Sequence, residues 1–452
     1  MTTFEDLNLS KQLFNAIEDL GFVQPTPIQE QAFSVVRSGK DVVGIAQTGT
    51  GKTFAYMLPV LRDLKFSRQQ HPRILVLVPT RELVIQVVEE IEKLAAYINV
   101  RVLGVYGGTN INTQKSAIAE GLDIIVATPG RLYDLALSKA LKLKSIQKLV
   151  IDEVDVMLDL GFRFQLLNIF DVLPERRQNV MFSATMTEGV AALIQDYFKS
   201  PETVAIAVSG TPLDNIAQQC YEVPNFYTKV NLLNHLIQDK ETFTKVLVFV
   251  SNKKSADRLF EALDESFADE ICVIHSNKTQ NYRIRSIRQF DDGMNRILVA
   301  TDVMARGLDL DEISHVINFD TPSFPENYMH RIGRTGRAEH EGKTILFSTE
   351  KEQEDKVAIE KLMKREIPKM EFPSEVAIAE RLTPEERPVD FEHHNPTKRK
   401  TDQFTPGAAF HEKSEKNSKT NQGGSYRREI AKKYKKPKTR GDKNYNKRNK
   451  RK

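Results

Sequence analysis

Short runs of Val, Ile and Leu recur through the first two hundred residues: DVVGIA (41–46), RILVLVPT (73–80), VRVLGVYGG (100–108), DIIVATPG (123–130), KLVIDE (148–153) and NVMFSAT (179–185). None alternates with polar residues, so each predicts a strand buried on both faces, as in a parallel sheet. Between them RELVIQVVEEIEKLAAYI (81–98) repeats its apolar residues at helical spacing. Strand and helix in regular succession imply a sheet covered by helices on both sides. Past the polar, proline-containing VSGTPLDN (208–215) a second series follows: KVLVFVS, ICVIHS, RILVATD, HVINFD and KTILFST. The pattern predicts one α/β domain over 1–207, a linker over 208–216 and a second α/β domain over 217–370. From 371 to 452 strand patterning is lost and Lys, Asn, Ser and Gly dominate, which predicts a disordered basic tail.

Composition sharpens this picture in three places. At 452 residues, 40% hydrophobic and 28% charged, the chain has room for two or three globular domains. No apolar run approaches the roughly 18 residues that cross a bilayer, and the first ten residues, MTTFEDLNLS, carry acids where a secretory signal carries a basic patch, so a cytoplasmic protein without a membrane partner is expected. Cys220 and Cys272 stand far apart in no metal-ligand spacing and read as core thiols. The net charge of +4 conceals an asymmetry: residues 391–452 hold 20 Lys+Arg and 6 Asp+Glu, leaving 45 and 55 for the rest. An acidic body carries a basic end.

The strongest chemical signal is AQTGTGKT, Ala46, Gln47, Thr48, Gly49, Thr50, Gly51, Lys52 and Thr53, placed between a predicted strand and a predicted helix. Backbone N–H groups of such a loop, with the positive end of the helix, bind phosphate oxygens. Lys52 would reach the β- and γ-phosphates of a nucleotide and the Thr53 hydroxyl would ligate Mg²⁺. In isolation, the acidic stretch KLVIDEVDVMLDLGF (148–162) reads as a strand entering a solvated turn. Beside a phosphate loop it gains a role, because a nucleotide-bound Mg²⁺ needs a carboxylate at the end of a neighbouring strand. Asp152 fits that position, Glu153 would orient the attacking water, and Asp155 is better placed to hold other polar groups.

The motifs together resemble the DEAD-box family of ATP-dependent RNA helicases, of superfamily 2, over nearly all of residues 4–350. GFVQPTPIQ (21–29) looks like that family's Q motif. PTREL (79–83), GG (107–108) and TPGR (128–131) look like its RNA-contact motifs, and SAT (183–185) like its coupling motif. QNYR (280–283), ATDVMARGLD (300–309) and HRIGRTGR (330–337) supply the second half. One departure stands in the acidic motif, D-E-V-D, with Val154 where the family usually has Ala. The basic end is similar to that of some bacterial RhlE-like members.

The resemblance implies two tandem RecA-like domains with ATP and Mg²⁺ bound between them. Phe22 would stack on adenine and Gln29 would hydrogen-bond its edge. Arg334 and Arg337 would be arginine fingers from the second domain, with Asp309 also on the nucleotide. Thr80, Arg81, Gly108, Thr128, Arg131 and Thr301 would grip one RNA strand, and Asp155, Ser183, Thr185 and His330 would couple the two sites. Such an enzyme clamps single-stranded RNA and opens short duplexes or remodels RNA–protein complexes with little sequence preference. A monomer is expected, with partners in ribosome assembly or RNA decay. A DNA helicase or translocase, and a non-catalytic RNA-binding scaffold, are the competing readings. The scaffold reading predicts loss of Lys52, Asp152, Glu153 or Arg337, and all four are present.

Overall fold

A computed structural model describes residues 3–47, 49–206, 215–305, 310, 312–336 and 342–387. Thr48, Asp309, Arg337, most of the expected linker and all of the basic end from residue 388 lie outside the described residues.

Residues 3–206 build a seven-stranded sheet from β1 (Val42–Ile45), β2 (Ile74–Leu77), β3 (Val102–Val105), β4 (Ile124–Ala127), β5 (Lys148–Ile151), β6 (Gln178–Ser183) and β7 (Glu202–Ala205), in the order β3-β4-β2-β5-β6-β1-β7. Every pairing is parallel, and β1, β2, β4 and β6 are buried along their whole length. Two apolar cores cover the faces, one around Val76, Val150 and Phe182, the other around Leu75, Ile151 and Met181, so alternate residues of the same strands serve opposite sides.

The second sheet comprises β8 (Ile216–Glu222), β9 (Val246–Val250), β10 (Ile271–Ile274), β11 (Ile297–Thr301), β12 (His315–Asn318) and β13 (Gly342–Ser348), ordered β10-β11-β9-β12-β13-β8 and again parallel. The sequence pattern identifies eleven of the thirteen strands among the described residues and misses β7 and β8. Both are edge strands: β7 buries only Val204, and β8 alternates buried Ile216, Gln218 and Cys220 with more exposed neighbours, so neither presents the continuous apolar run of a central strand. Cys220 and Cys272 are buried free thiols, and burial pushes them up to about 11 and about 12. Among the described residues no helix is long and apolar enough to cross a membrane.

One expected boundary moves. Residues 371–387, assigned from sequence to the tail, instead form an extended strap on the second domain. Val376 buries itself in the core beside Phe226 and Phe319, with Phe372 against the same cluster. The Asn225 side chain donates to Ala379 O at 2.6 Å, Ala379 N donates to Thr228 Oγ1 at 2.9 Å, and Glu386 Oε1 accepts from Phe226 N at 2.6 Å at the start of helix Phe226–Ile237. The Arg381 guanidinium lies 4.3 Å from the Tyr227 ring centroid. Without helical or strand period, and with its partners some 150 positions upstream, the strap leaves no local signature. A chain ending at residue 370 is expected to unfold its second domain at least about 4 °C below one ending at 387, through loss of the Glu386 hydrogen bond to the helix N-terminus and of the Val376 contact. Equal midpoints by thermal circular dichroism would contradict that.

Candidate nucleotide and RNA site

The glycine-rich loop leaves β1 and enters helix Lys52–Asp63 with Gly49 and Gly51 at φ 80° and 82°, a region that excludes a β-carbon at low cost. Its shape is held from outside. Thr26 Oγ1 donates to Thr50 O at 2.8 Å and Gln29 Nε2 donates to Gly51 O at 3.2 Å, while Gln29 Oε1 accepts from Thr26 N at 3.0 Å. A β-carbon on Gly51 would collide with the Gln29 amide. Gln29 is thus engaged with the loop backbone. Phe22, 49% exposed, stands edge-on to Phe54 at 5.3 Å and offers a free ring face near the mouth.

At the C-terminal end of β5, Asp152 and Glu153 are almost wholly buried. Burial raises the pKa of both; Lys52 opposes this for each, and Arg334 opposes it further for Glu153. Lys52 Nζ lies 4.0 Å from Asp152 Oδ1, and Tyr56 Oη donates to Asp152 Oδ2 at 3.1 Å. Tyr56, one helical turn after Lys52, is held protonated by its burial and by Asp152. Glu153 sits at φ 52°, a left-handed conformation that costs a non-glycine residue on the order of 1–2 kcal/mol and turns its carboxylate away from the strand direction. Val154, fully buried, joins the core packed against β5 and β6, so its extra methyl groups face the interior.

Asp155 serves the next segment. Its Oδ2 accepts from Ala184 N (3.1 Å), Thr185 N (2.9 Å) and Thr185 Oγ1 (2.8 Å), and Ser183 Oγ donates to Thr185 O at 2.7 Å. His330 Nε2, from the second domain, stands 3.6 Å from the same oxygen. Burial pushes the Asp155 carboxyl up, but His330, Lys52 and the Thr185 hydrogen bonds outweigh it and hold the group below the usual carboxylate range.

Arg334, also from the second domain, brings Nη2 within 4.0 Å of Glu153 Oε1 and is buried. It follows helix Pro325–Ile332, which is anchored by Arg331: its guanidinium makes a two-pronged pair with Asp302 at 2.6 and 2.8 Å and donates to Asp320 O at 2.7 Å. Sequence reasoning passed over Arg331, Tyr56 and Thr26. For the last two the signals are a four-residue helical spacing from Lys52 and the T-x-x-Q spacing that precedes an apolar helix.

Five of the six predicted RNA-contact residues gather on the other half of the same sheet edge. Thr80 and Thr128 cap helices Arg81–Leu94 and Pro129–Leu137 at the ends of β2 and β4, which are neighbours in the sheet. Arg81 lies so close over Gly108 that any β-carbon there would strike its guanidinium. Arg131 donates to Gln114 Oε1 at 2.8 Å and to Thr109 O at 3.1 Å, pinning the turn that follows Gly108. Thr301 ends β11 in the second sheet. Helix N-termini with guanidinium groups beside them suit a phosphate backbone.

The described residues contain no cluster of three or more His, Cys, Asp and Glu side chains able to hold a metal by themselves. Lys52 Nζ and Glu153 Oε2 are nevertheless buried without a hydrogen-bond partner. A phosphate chain carrying one divalent cation fits that donor set, because Mg²⁺ needs only one or two protein oxygens when phosphates and water supply the rest.

Comparison with known proteins agrees with this geometry. Residues 26–193 match the DEAD/DEAH box helicase model and residues 228–339 the helicase conserved C-terminal domain model. The chain is 40% identical over 375 residues to the DEAD-box ATP-dependent RNA helicase CshA of Bacillus cereus, covering 83% of this chain and 70% of that protein. It is likewise 40% identical over 378 residues to CshA of Bacillus subtilis, covering 82% and 74%. Among solved structures, S. cerevisiae Dbp5 bound to RNA and ADP BeF3 superposes with a TM-score of 0.74 at 28% identity, covering 82% of this chain and 96% of that one. The DEAD-box helicase Mss116 bound to ssRNA and UDP-BeF gives 0.76 at 27%, covering 83% and 81%.

Proposed function

Because this chain belongs to the DEAD-box family of ATP-dependent RNA helicases, we propose that it clamps one RNA strand across both domains and couples the clamp to hydrolysis of ATP. The observation that supports this reading most is the reach of Arg334 and His330 from the second domain to Glu153 and Asp155 of the first. A site divided in this way is complete only when the domains are together, so a ligand that bridges them controls hydrolysis.

In this reading the loop backbone and Lys52 bind the phosphates, and Phe22 lies against the base. The Thr53 hydroxyl and Asp152 would hold Mg²⁺, which when bound would supply neutralisation of charge on the phosphoryl oxygens. Glu153 orients the attacking water and accepts its proton, while Arg334 stabilises the transferring group. Arg337 and Asp309 complete the set on the family pattern. Asp155 carries the state of the nucleotide to the Ser183–Thr185 segment and His330. Thr80, Arg81, Gly108, Thr128, Arg131 and Thr301 hold sugar and phosphate, which gives little sequence preference. A 2′-hydroxyl distinguishes RNA from DNA at such a site. A cytoplasmic monomer acting on ribonucleoprotein substrates is the accompanying proposal.

Single-stranded RNA is expected to raise ATP turnover by at least tenfold, and DNA of the same sequence by much less, with short RNA duplexes separated only when ATP is present. Equal stimulation by DNA in a steady-state phosphate-release assay would favour a DNA translocase; no stimulation by either would remove the helicase reading.

A further inference from the structure

Beyond the catalytic cleft, helix Arg81–Leu94 of the first domain and helix Gln280–Asp291 of the second face one another over about two turns. At the inner end, Glu82 Oε1 accepts from Gln280 Nε2 at 3.1 Å and lies 3.3 Å from Arg283 Nη1. Further out, Ile85 and Glu89 continue the stripe of Glu82 at intervals of three and four residues, and Ile284, Ile287 and Arg288 do the same opposite. These side chains line a shared cavity of ≈ 130 Å³. Glu89 Oε1 and Arg288 Nη2 stand 3.9 Å apart across its solvent side. Asp291, also on the rim, is already paired with Lys245 at 3.3 Å.

Two features separate this seam from ordinary core packing. Ile85 and Ile284 belong to neither domain's apolar core, although each is half-buried. Both line the cavity where the two domains meet. The Glu89–Arg288 pair likewise joins charges that sit on separate domains and are otherwise well exposed. None of these four residues belongs to the phosphate loop, the acidic motif or the predicted RNA-contact set.

We propose that this outer seam, Ile85 against Ile284 with Glu89 against Arg288, is a closing latch that sets how much RNA the protein needs before its two domains come together. The proposal rests on the RNA-dependent ATPase reading above. A ligand that binds only the closed form is held with its intrinsic affinity reduced by the fraction of protein able to close. Contacts made solely on closure therefore act on the RNA requirement. At saturating RNA closure is complete and the chemistry is untouched, so these are positioning residues.

The test is steady-state ATPase of the full chain titrated with single-stranded RNA at low salt. Ile284→Asp and Ile85→Asp, one on each domain, are expected to raise the half-saturating RNA concentration about tenfold, with turnover at saturating RNA within twofold of the unaltered protein. Glu89→Arg and Arg288→Glu should each raise it about threefold, the double variant should recover, and the charge effects should fade at high salt. An unchanged half-saturating concentration in both Ile variants would overturn the latch, as would charge variants that fail to recover when combined. A fall in saturated turnover alone would overturn it too, by placing the seam in the folding or chemistry of one domain. Absence of RNA stimulation in the unaltered protein would instead overturn the functional reading itself.

Discussion

Replacing Glu153 by Gln is expected to lower RNA-stimulated ATP turnover by about 10²- to 10⁴-fold, the range for loss of a positioned general base, while ATP and RNA remain bound. The carboxylate is buried, lifted above its ordinary pKa by that burial and faced by Arg334, and it has one oxygen without a hydrogen-bond partner. The amide keeps the side chain's size while removing its negative charge and its capacity to accept a proton. Single-turnover hydrolysis with a nucleotide-binding measurement separates the two steps. As pH falls toward the raised pKa of Glu153, the unaltered enzyme should lose rate because the base is protonated, and the Gln variant should lack that acid limb. Near-normal turnover in the variant would remove Glu153 from the chemistry.

Arg334→Ala carries the larger expected loss. An arginine finger contributes about 10³- to 10⁵-fold, or roughly 4–7 kcal/mol of transition-state stabilisation. Arg334 reaches the first domain from a turn that Arg331 holds in place through Asp302 and Asp320. The helix before it should therefore survive truncation of the finger. Arg331→Ala would mimic the loss by a different route, leaving Asp302 without its two-pronged partner and displacing the turn. The two are told apart by thermal unfolding: Arg334→Ala should leave the second domain's midpoint nearly unchanged, and Arg331→Ala should lower it. Retained RNA-stimulated turnover in Arg334→Ala would contradict the divided site.

Much of this protein is legible in the sequence because the information is local. Central strands such as Ile74–Leu77 and Val246–Val250 are buried on both faces, so uniform runs of Val, Ile and Leu suffice to mark them. The phosphate loop is legible for a similar reason: glycines at positive φ, a lysine and a threonine must be consecutive to wrap one phosphate chain. The order of motifs along the chain was enough to carry the family resemblance.

What only the tertiary structure decides involves partners distant in the chain. Asp155 is engaged with Thr185 because strands β5 and β6 lie side by side, with His330 because the second domain meets the first, and Gln29 with Gly51 because its helix packs on the phosphate loop. The strap over residues 371–387 has no period of its own, since extended chain satisfied by side chains of a remote helix needs none. The seam between Ile85 and Ile284 is equally invisible beforehand: each reads as an ordinary half-exposed helical residue, and only the meeting of two separately folded sheets turns them into a contact.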